Sequence, residues 1–524
     1  MALADADLVA LQEARSLARK AKEAQKTLAS FSQERIDSIV AAMAEAARGD
    51  AERLARLAHE ETGFGNVKDK TTKNLFCAVH VHDYIRPLRT VGVLREDTKN
   101  RIVEIAEPMG VVAAIIPSTN PTSTAIFKAL ISVKGRNAVV MSPHPSARKA
   151  ILETVDVMKK AAVGAGLPAD ALSCLTEVSL GATTELMKSR DTGVILATGG
   201  IGLVRAAYSS GKPAYGVGPG NVAVYVDRTA DVPRAARDVI AGKTFDYGTL
   251  CSSEQSVVCD QPVCDALVEE LKKSGGYFLG AAEAAAVAKV AVTPERLANP
   301  QIVGKPATYI AEKAGIKVPA DTRALIAPLE GVGRDFPLSI EKLCPILAFY
   351  RVKDWEEGSK RCLELLRFGG TGHTVGIHCG DDKVIREFAA REPVYRVVAN
   401  TQTSMGATGY ATGLAPSMSL GCGAFAGNIT SDNITPMHLI NVKRLAYAKP
   451  RDSAAAPAPA AATAPPAPAP KATPAADVVD FVSEDDVRKA LREGRSIRLA
   501  PKAIVTPAAK DAAEGKGVLI GPES

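Results

Sequence analysis

The stretch VVAAIIPSTNPTSTAIFK, residues 111–128, decides the fold class. A run of apolar residues, several of them β-branched, stops at Pro117; a polar turn follows, and a helical pattern begins at Ser123. A short unbroken apolar run of this kind reads as a strand buried on both faces. The unit then repeats. Ala138–Met141 leads to a helix from Ser146, Ser173–Val178 to one near Thr183, and Val194–Thr198 to one through Val204 and Tyr208; Val222–Val226 closes the series. Apolar β-runs separated by amphipathic helices imply parallel strands with crossover helices, so the expected fold is α/β with a doubly wound sheet.

Working outward, residues 1–60 read as helix, with Leu8, Leu11, Leu17, Ile36, Ile39, Val40 and Met43 spaced for one buried face. Val91, Val93, Arg101, Val103 and Ile105 flank a polar Asp97-Thr98-Lys99-Asn100 turn, which predicts a β-hairpin over 90–107. A first domain is therefore expected over 1–226, hairpin included, and a second α/β domain over 227–419. Residues 420–449 return to the core, with a last strand at Leu439–Leu445 after the glycines 421, 423 and 427. Residues 450–476 are almost entirely Ala and Pro, a composition that cannot pack a core and reads as a disordered, extended linker. Residues 477–524 regain pattern as a tail. There Ser483 can cap a short helix with Asp486 as its partner, Val482 and Val487 occupy staple positions, and Gly494 can end it. A short amphipathic helix on a long spacer suits a docking peptide.

Composition narrows the function classes. The 524 residues carry 64 Lys and Arg against 58 Asp and Glu, a mild +6, and no dense basic patch with interleaved aromatics marks a nucleic-acid binder. No apolar run approaches the ~20 residues of a bilayer span, and the N-terminus lacks the apolar core of a secretory signal. Nine cysteines without paired spacing point to reduced thiols in a cytoplasm, and no Cys–His cluster has zinc spacing, so no metal is expected.

Four segments can carry chemistry. Cys251 sits in FDYGTLCSSE (245–254), a small-residue stretch between helical patterns where backbone can approach a substrate. The other eight cysteines lie in apolar or helical contexts, the ordinary setting of packing cysteines. Two glycine-rich segments, LATGGIG (196–202) and YGVGPGN (215–221), accompany β-runs; the first marks a strand-to-helix junction where backbone N–H groups can face a phosphate. Pro117-Ser118-Thr119-Asn120-Pro121 lies at the C-terminal end of the first strand, the edge where doubly wound sheets bind ligands.

Taken in order, IIPSTNPTSTAIFK (115–128), MSPHP (141–145), LATGGIG (196–202), AYSSGKPAYGVGPGN (207–221), GTLCSSEQS (248–256), EKLCP (341–345) and GHTVGIH (372–378) resemble the aldehyde dehydrogenase superfamily. The resemblance is to its coenzyme A-acylating branch, the acetaldehyde and propionaldehyde dehydrogenases, and covers roughly residues 1–450. It implies a Rossmann-like dinucleotide-binding domain, an α/β catalytic domain, and a homo-oligomer (dimer or tetramer) built through the 90–107 hairpin and the 439–447 strand. It makes Cys251 the nucleophile, in a site that should favour the thiolate. Asn120 becomes the oxyanion donor, and His373 the histidine that handles thiol protons. NAD is implied as cofactor and coenzyme A as co-substrate. Ser142, Pro143 and His144 would meet the adenosine end, Thr198, Gly199, Gly200 and Gly202 the diphosphate, and Glu341 the nicotinamide ribose; Ser118, Val217 and Gly218 belong to the same cofactor site. Ser142 and His144 lack the cationic fork a 2′-phosphate needs, which favours NAD over NADP.

One departure is informative. Hydrolytic members of the superfamily carry a glutamate, the base that activates water, where this chain has Gly216. Without that base the thioester should pass to a thiol, which ionises far more readily than water. The expected reaction is oxidation of a short-chain aldehyde, propanal or acetaldehyde, to acyl-CoA, reversibly. The alternatives are a hydrolytic aldehyde dehydrogenase, an acyl-phosphate reductase of the same fold, and an inactive scaffold. The tail, with KAIVTPAAKDAA (502–513), resembles targeting extensions of enzymes packed into bacterial microcompartments, which implies shell or cargo proteins as partners and a compartment inside the cytoplasm as location.

Overall fold

The computed structural model describes residues 5–449 and 478–521, in two compact units, 1–449 and 450–524. The expected 450–476 linker lies outside the described residues.

The first unit opens with helices Ala6–Leu28, Gln33–Gly49 and Ala51–Thr62. Ile36, Ile39, Val40 and Met43 are buried as expected, but the first helix buries the stripe Ala10, Ala14, Ala18 and Ala21, leaving Leu8 63% exposed. A helix pressed close onto its neighbours favours alanine at the contact; Leu11 and Leu17 are half-buried beside that stripe, Leu17 against the core, and only Leu8 falls outside the expected face. Strands β1 (Gly92–Asp97) and β2 (Ile102–Pro108) form the predicted hairpin.

Then come β3 (Val111–Ile116), β4 (Ala138–Pro143), β5 (Leu172–Cys174), β6 (Thr192–Thr198) and β7 (Ala214–Val217). They make one parallel sheet in the order β5-β4-β3-β6-β7. The chain runs outward from β3 to β5 on one side and resumes with β6 on the other. The junction between β3 and β6 is thus the switch point where adjoining loops diverge and leave a crevice. Lys128, buried in the helix Pro121–Lys134, ties the ends of those two strands together by donating to the carbonyls of Ile115 (2.7 Å) and Leu196 (2.8 Å).

A second parallel sheet contains β8 (Val222–Val226), β9 (Glu254–Asp260), β10 (Gly276–Phe278), β11 (Ala324–Pro328), β12 (Ile346–Val352), β13 (Val375–His378) and β14 (Val397–Ala399). Its order is β10-β11-β12-β9-β8-β13-β14. Here the expected domain edge at 226 moves. Val222–Val226 bonds to β9 and β13, so the crossing into the second sheet falls in Gly218-Pro219-Gly220-Asn221. The apolar run alone could not say which sheet it joined. Ile434 and Leu439 return to the core of the first sheet, and β15 (Ile440–Ala446) pairs antiparallel with β2 within the same chain, completing a three-stranded arm.

In the second unit the expected helix is present at Glu484–Glu493, with Ser483 and Asp486 in a reciprocal capping box and Gly494 in the left-handed conformation at its end. It is not alone. Strands β16 (Val478–Val482), β17 (Ile497–Val505) and β18 (Leu519–Ile520) form a parallel sheet with a second helix, Pro507–Ala513. Val482, Val487, Ala490, Ile497, Ala509 and Val518 close a small core of its own. The tail is therefore a miniature α/β unit, and the helix is one part of it.

Candidate active site

Sheet order assembles the site. β12, β9, β8 and β13 are neighbours, and the residues just before each enter at the same edge: Glu341 and Cys344 before β12, Cys251 before β9, Gly220 before β8, His373 before β13. That edge faces a cavity of about 460 Å³ shared with the C-terminal ends of β3, β4 and β6. Of the residues expected from sequence, Cys251, Asn120, Ser118, Ser142, Pro143 and His144 line it. So do Thr198, Gly199, Gly200, Val217, Gly218 and Glu341. Gly202 lies inside the helix Ile201–Tyr208, and neither it nor His373 is in the lining.

Cys251 is half-buried, while the other eight cysteines are buried. The expected thiolate is not what the protein alone provides. Burial, reinforced by the nearby Glu341, pushes the Cys251 thiol up to about 12, with Arg396 pulling weakly the other way. Glu341 is itself pushed up by burial to about 8, although its Oε1 accepts from the Gly220 N–H at 3.1 Å. His373 is fully buried; burial and then the Arg396 charge lower its pKa to about 3, so the imidazole is neutral. Its Nδ1 bonds with the Thr374 hydroxyl at 3.0 Å and its Nε2 has no partner in the structure. Gly220 separates this ring from the Cys251 carbonyl, and a Cβ there would come within 3.2 Å of the imidazole. Only glycine lets the two approach.

Asn120 ends the β3 loop and caps the helix Pro121–Lys134. Its carboxamide Nδ2 donates to the Thr249 carbonyl and reaches the Thr119 hydroxyl, both at 3.2 Å. Its Oδ1 accepts from Lys73 Nζ at 2.5 Å.

Sequence reading missed what lies behind that amide. Lys70 and Lys73, on the helix Val67–Leu75, both pair with the fully buried carboxylate of Asp246. Asp246 also accepts from the Thr249 hydroxyl (2.7 Å) and the Asn66 N–H (2.8 Å). Asp246 and Tyr247 have φ of 47° and 52°, a left-handed conformation that costs non-glycine residues roughly 1–2 kcal/mol each. The clamp on the Asp246 side chain holds that turn, and Cys251 follows it. The available signal was Lys70, Lys73 and Asn74 standing at i, i+3, i+4, where a buried helical face calls for apolar residues.

The glycine at 216 is filled space. A Cβ there would meet the Tyr208 hydroxyl at 2.6 Å and Val204 Cγ1 at 2.7 Å, and the Gly216 carbonyl accepts from the Tyr208 hydroxyl (3.1 Å) and from the Asn428 amide. Among the described residues Glu341 is the only carboxylate that lines the cavity, and no Lys or Arg lines it.

A dinucleotide fits this cavity. Gly200 caps the helix Ile201–Tyr208 with open space around it, and Thr198 Oγ1 is a buried hydroxyl with no partner; together they present donors to an anionic group at the switch point. Among the described residues no cluster of ligating side chains could hold a metal ion, and no helix is long and apolar enough to cross a membrane.

Comparison with known proteins gives concordant results. The sequence profile of the aldehyde dehydrogenase family matches residues 2–277. The bifunctional aldehyde-alcohol dehydrogenase of Escherichia coli is 44% identical over 83% of this chain and 49% of its own, so the chain spans about half the length of that relative. The crystal structure of an acetylating aldehyde dehydrogenase from Geobacillus thermoglucosidasius is 53% identical, covers 86% of this chain and 99% of its own, and superposes with a TM-score of 0.85. A propionaldehyde dehydrogenase from the fucose utilisation bacterial microcompartment of Clostridium phytofermentans is 28% identical, covers 82% and 96%, and has a TM-score of 0.75.

Proposed function

Because the chain belongs to the aldehyde dehydrogenase family, we propose that it is an NAD-dependent, coenzyme A-acylating aldehyde dehydrogenase acting on aldehydes of two or three carbons. The Cys251 sulfur adds to the aldehyde carbonyl, and the alkoxide that forms is held by Asn120 Nδ2 and the Cys251 backbone N–H. A bound nicotinamide supplies the hydride acceptor. Collapse of the alkoxide leaves the acyl group on Cys251 as a thioester. The thiolate of coenzyme A then adds to that carbonyl, Cys251 leaves as thiolate, and acyl-CoA is released. His373 is neutral and its Nε2 has no partner among the described residues, but a pKa lowered to about 3 makes it a weak base in the ligand-free protein, so its part in handling thiol protons rests on the sequence resemblance.

The observation that carries the acylating reading is Gly216. A hydrolytic enzyme needs a base aimed at the thioester, and here Tyr208 and Val204 fill the volume into which a side chain at 216 would project. Preference for NAD rests on the absence of Lys and Arg from the cavity lining. The test is the rate of NADH formation with acetaldehyde, propanal and butanal, each with and without coenzyme A. Multiple turnovers only when the thiol is present support the proposal; equal rates without it point to hydrolysis.

The tail is proposed to address the enzyme to a microcompartment. In support, the tail resembles known targeting extensions and forms a folded unit separate from the catalytic body. On its small sheet Phe481 and Ile504 are register neighbours, 57% and 66% exposed. Deleting residues 451–524 is expected to leave turnover near that of the full chain while abolishing association with shell proteins. A truncated enzyme that still co-purifies with shells would overturn the assignment. The β1-β2-β15 arm, antiparallel and largely exposed, is proposed as the surface that joins subunits.

A further inference from the structure

From the contacts of the half-buried Asn120 carboxamide we infer that Lys73 is a positioning residue for catalysis: its ammonium takes the amide oxygen and so leaves the amide nitrogen turned toward the oxyanion position. An amide can sit in its pocket in two orientations that differ by exchange of oxygen and nitrogen. An ammonium has donors and no acceptor, so it tolerates only oxygen opposite it. With Lys73 Nζ at 2.5 Å from Oδ1, the flipped orientation would set the amide N–H against a buried ammonium, donor against donor. The Nδ2 group is thereby turned toward Thr249 and the cavity that Cys251 lines. Lys73 is fixed in turn by Asp246 and by the Thr249 hydroxyl at 3.4 Å.

Lys70 supplies an internal comparison. It is equally buried, lies one turn away on the same helix and pairs with the same carboxylate at 3.0 Å. Its second acceptor, however, is the Thr119 carbonyl at 3.2 Å and not the amide. Loss of either lysine removes one ammonium from the cluster and leaves Asp246 paired with the other. Only loss of Lys73 releases the amide oxygen, leaving the Thr249 carbonyl as the remaining hold on the amide nitrogen.

This inference rests on the aldehyde-oxidising reading of Cys251, and the two can fail separately. Wild type that forms no NADH from aldehyde sinks the functional reading, whereas the inference is judged by comparing variants of an active enzyme. Lys73→Met is expected to lower the rate of the NADH burst by about 10- to 100-fold, as misplacement of an oxyanion donor does. Alkylation of Cys251 by iodoacetamide, a displacement that forms no oxyanion, is expected to keep its wild-type rate. Asn120→Ala is expected to lower the burst, and adding Lys73→Met to it to cost nothing further, because the lysine acts through the amide. Lys70→Met is expected to lose at least tenfold less than Lys73→Met. Additive losses in the double variant, equal losses for the two lysines, or alkylation that falls with turnover would each overturn the inference. Should Lys73→Met fail to fold, Lys73→Gln, which keeps an N–H donor, takes its place in the same comparison. It is expected to be slowed, less than Asn120→Ala and more than Lys70→Met; any other order contradicts the assignment.

Discussion

Cys251→Ala is expected to abolish NADH formation from aldehyde, with a loss of at least about 10⁴-fold, because no other group can form the covalent intermediate. The remaining cysteines are buried in packing positions and cannot substitute. Dinucleotide binding is expected to survive, since most of the groups proposed to meet it lie on the first sheet and none is the Cys251 side chain; fluorescence titration with NADH against wild type checks that. The same residue gives a pH prediction. In the ligand-free enzyme burial holds the Cys251 thiol near 12, so the reactive thiolate is scarce at neutral pH and grows tenfold per unit as pH rises. Iodoacetamide should therefore inactivate the free enzyme slowly at pH 7 and progressively faster through pH 9, with no plateau in that range. A plateau near neutrality would mean that the protein by itself stabilises the thiolate.

The second large effect is on stability. Asp246→Asn removes the only negative charge among the described residues that touches both Lys70 and Lys73, leaving two buried ammoniums facing each other. Breaking a buried ion pair from one side costs about 3–5 kcal/mol. The positive-φ turn at Asp246 and Tyr247 also loses its clamp, so Cys251 is displaced along with the loss of stability. Thermal unfolding and denaturant midpoints of the variant and wild type measure the effect. Burial by itself would raise the Asp246 carboxyl, but Lys73, Lys70 and the hydrogen bonds outweigh it and hold it below the usual range. A carboxylate with a depressed folded value contributes stability that is complete above its unfolded value of about 3.9 and is lost as pH falls through the lower folded one. Wild type should thus lose this contribution only in acid below about pH 4, and the acid limb of the Asp246→Asn profile should be flatter.

Much of the architecture was legible because it depends on periodicity. The run at 111–116 and its repeats gave the parallel sheet, and the polar turn at 97–100 gave the hairpin. Sheet membership was not legible at Val222–Val226, since β-propensity says nothing about which neighbour accepts the hydrogen bonds. In the tail, caps at Ser483 and Gly494 revealed the helix, while β17 reads IRLAPKAIV, with Pro501 and two charges obscuring any alternation. In the site, the motifs located Cys251, Asn120 and Glu341 on one cavity. They could not expose the Lys70–Asp246–Lys73 cluster, because Asp246 lies 173 or more positions from either lysine and meets them only when the helix Val67–Leu75 docks on the turn before Cys251. Nor could they show Tyr208 as the side chain that fills the space beside Gly216.

The account depends on a thioester that water does not open and coenzyme A does. Enzyme and NAD mixed with propanal for a single turnover, with the thiol withheld, and then examined by intact-protein mass spectrometry, test this directly. The account predicts a propionyl group that persists on Cys251 until coenzyme A is added and then leaves as propionyl-CoA. Prompt release of propionate, with Cys251 returned to the free thiol before any coenzyme A is present, would contradict it.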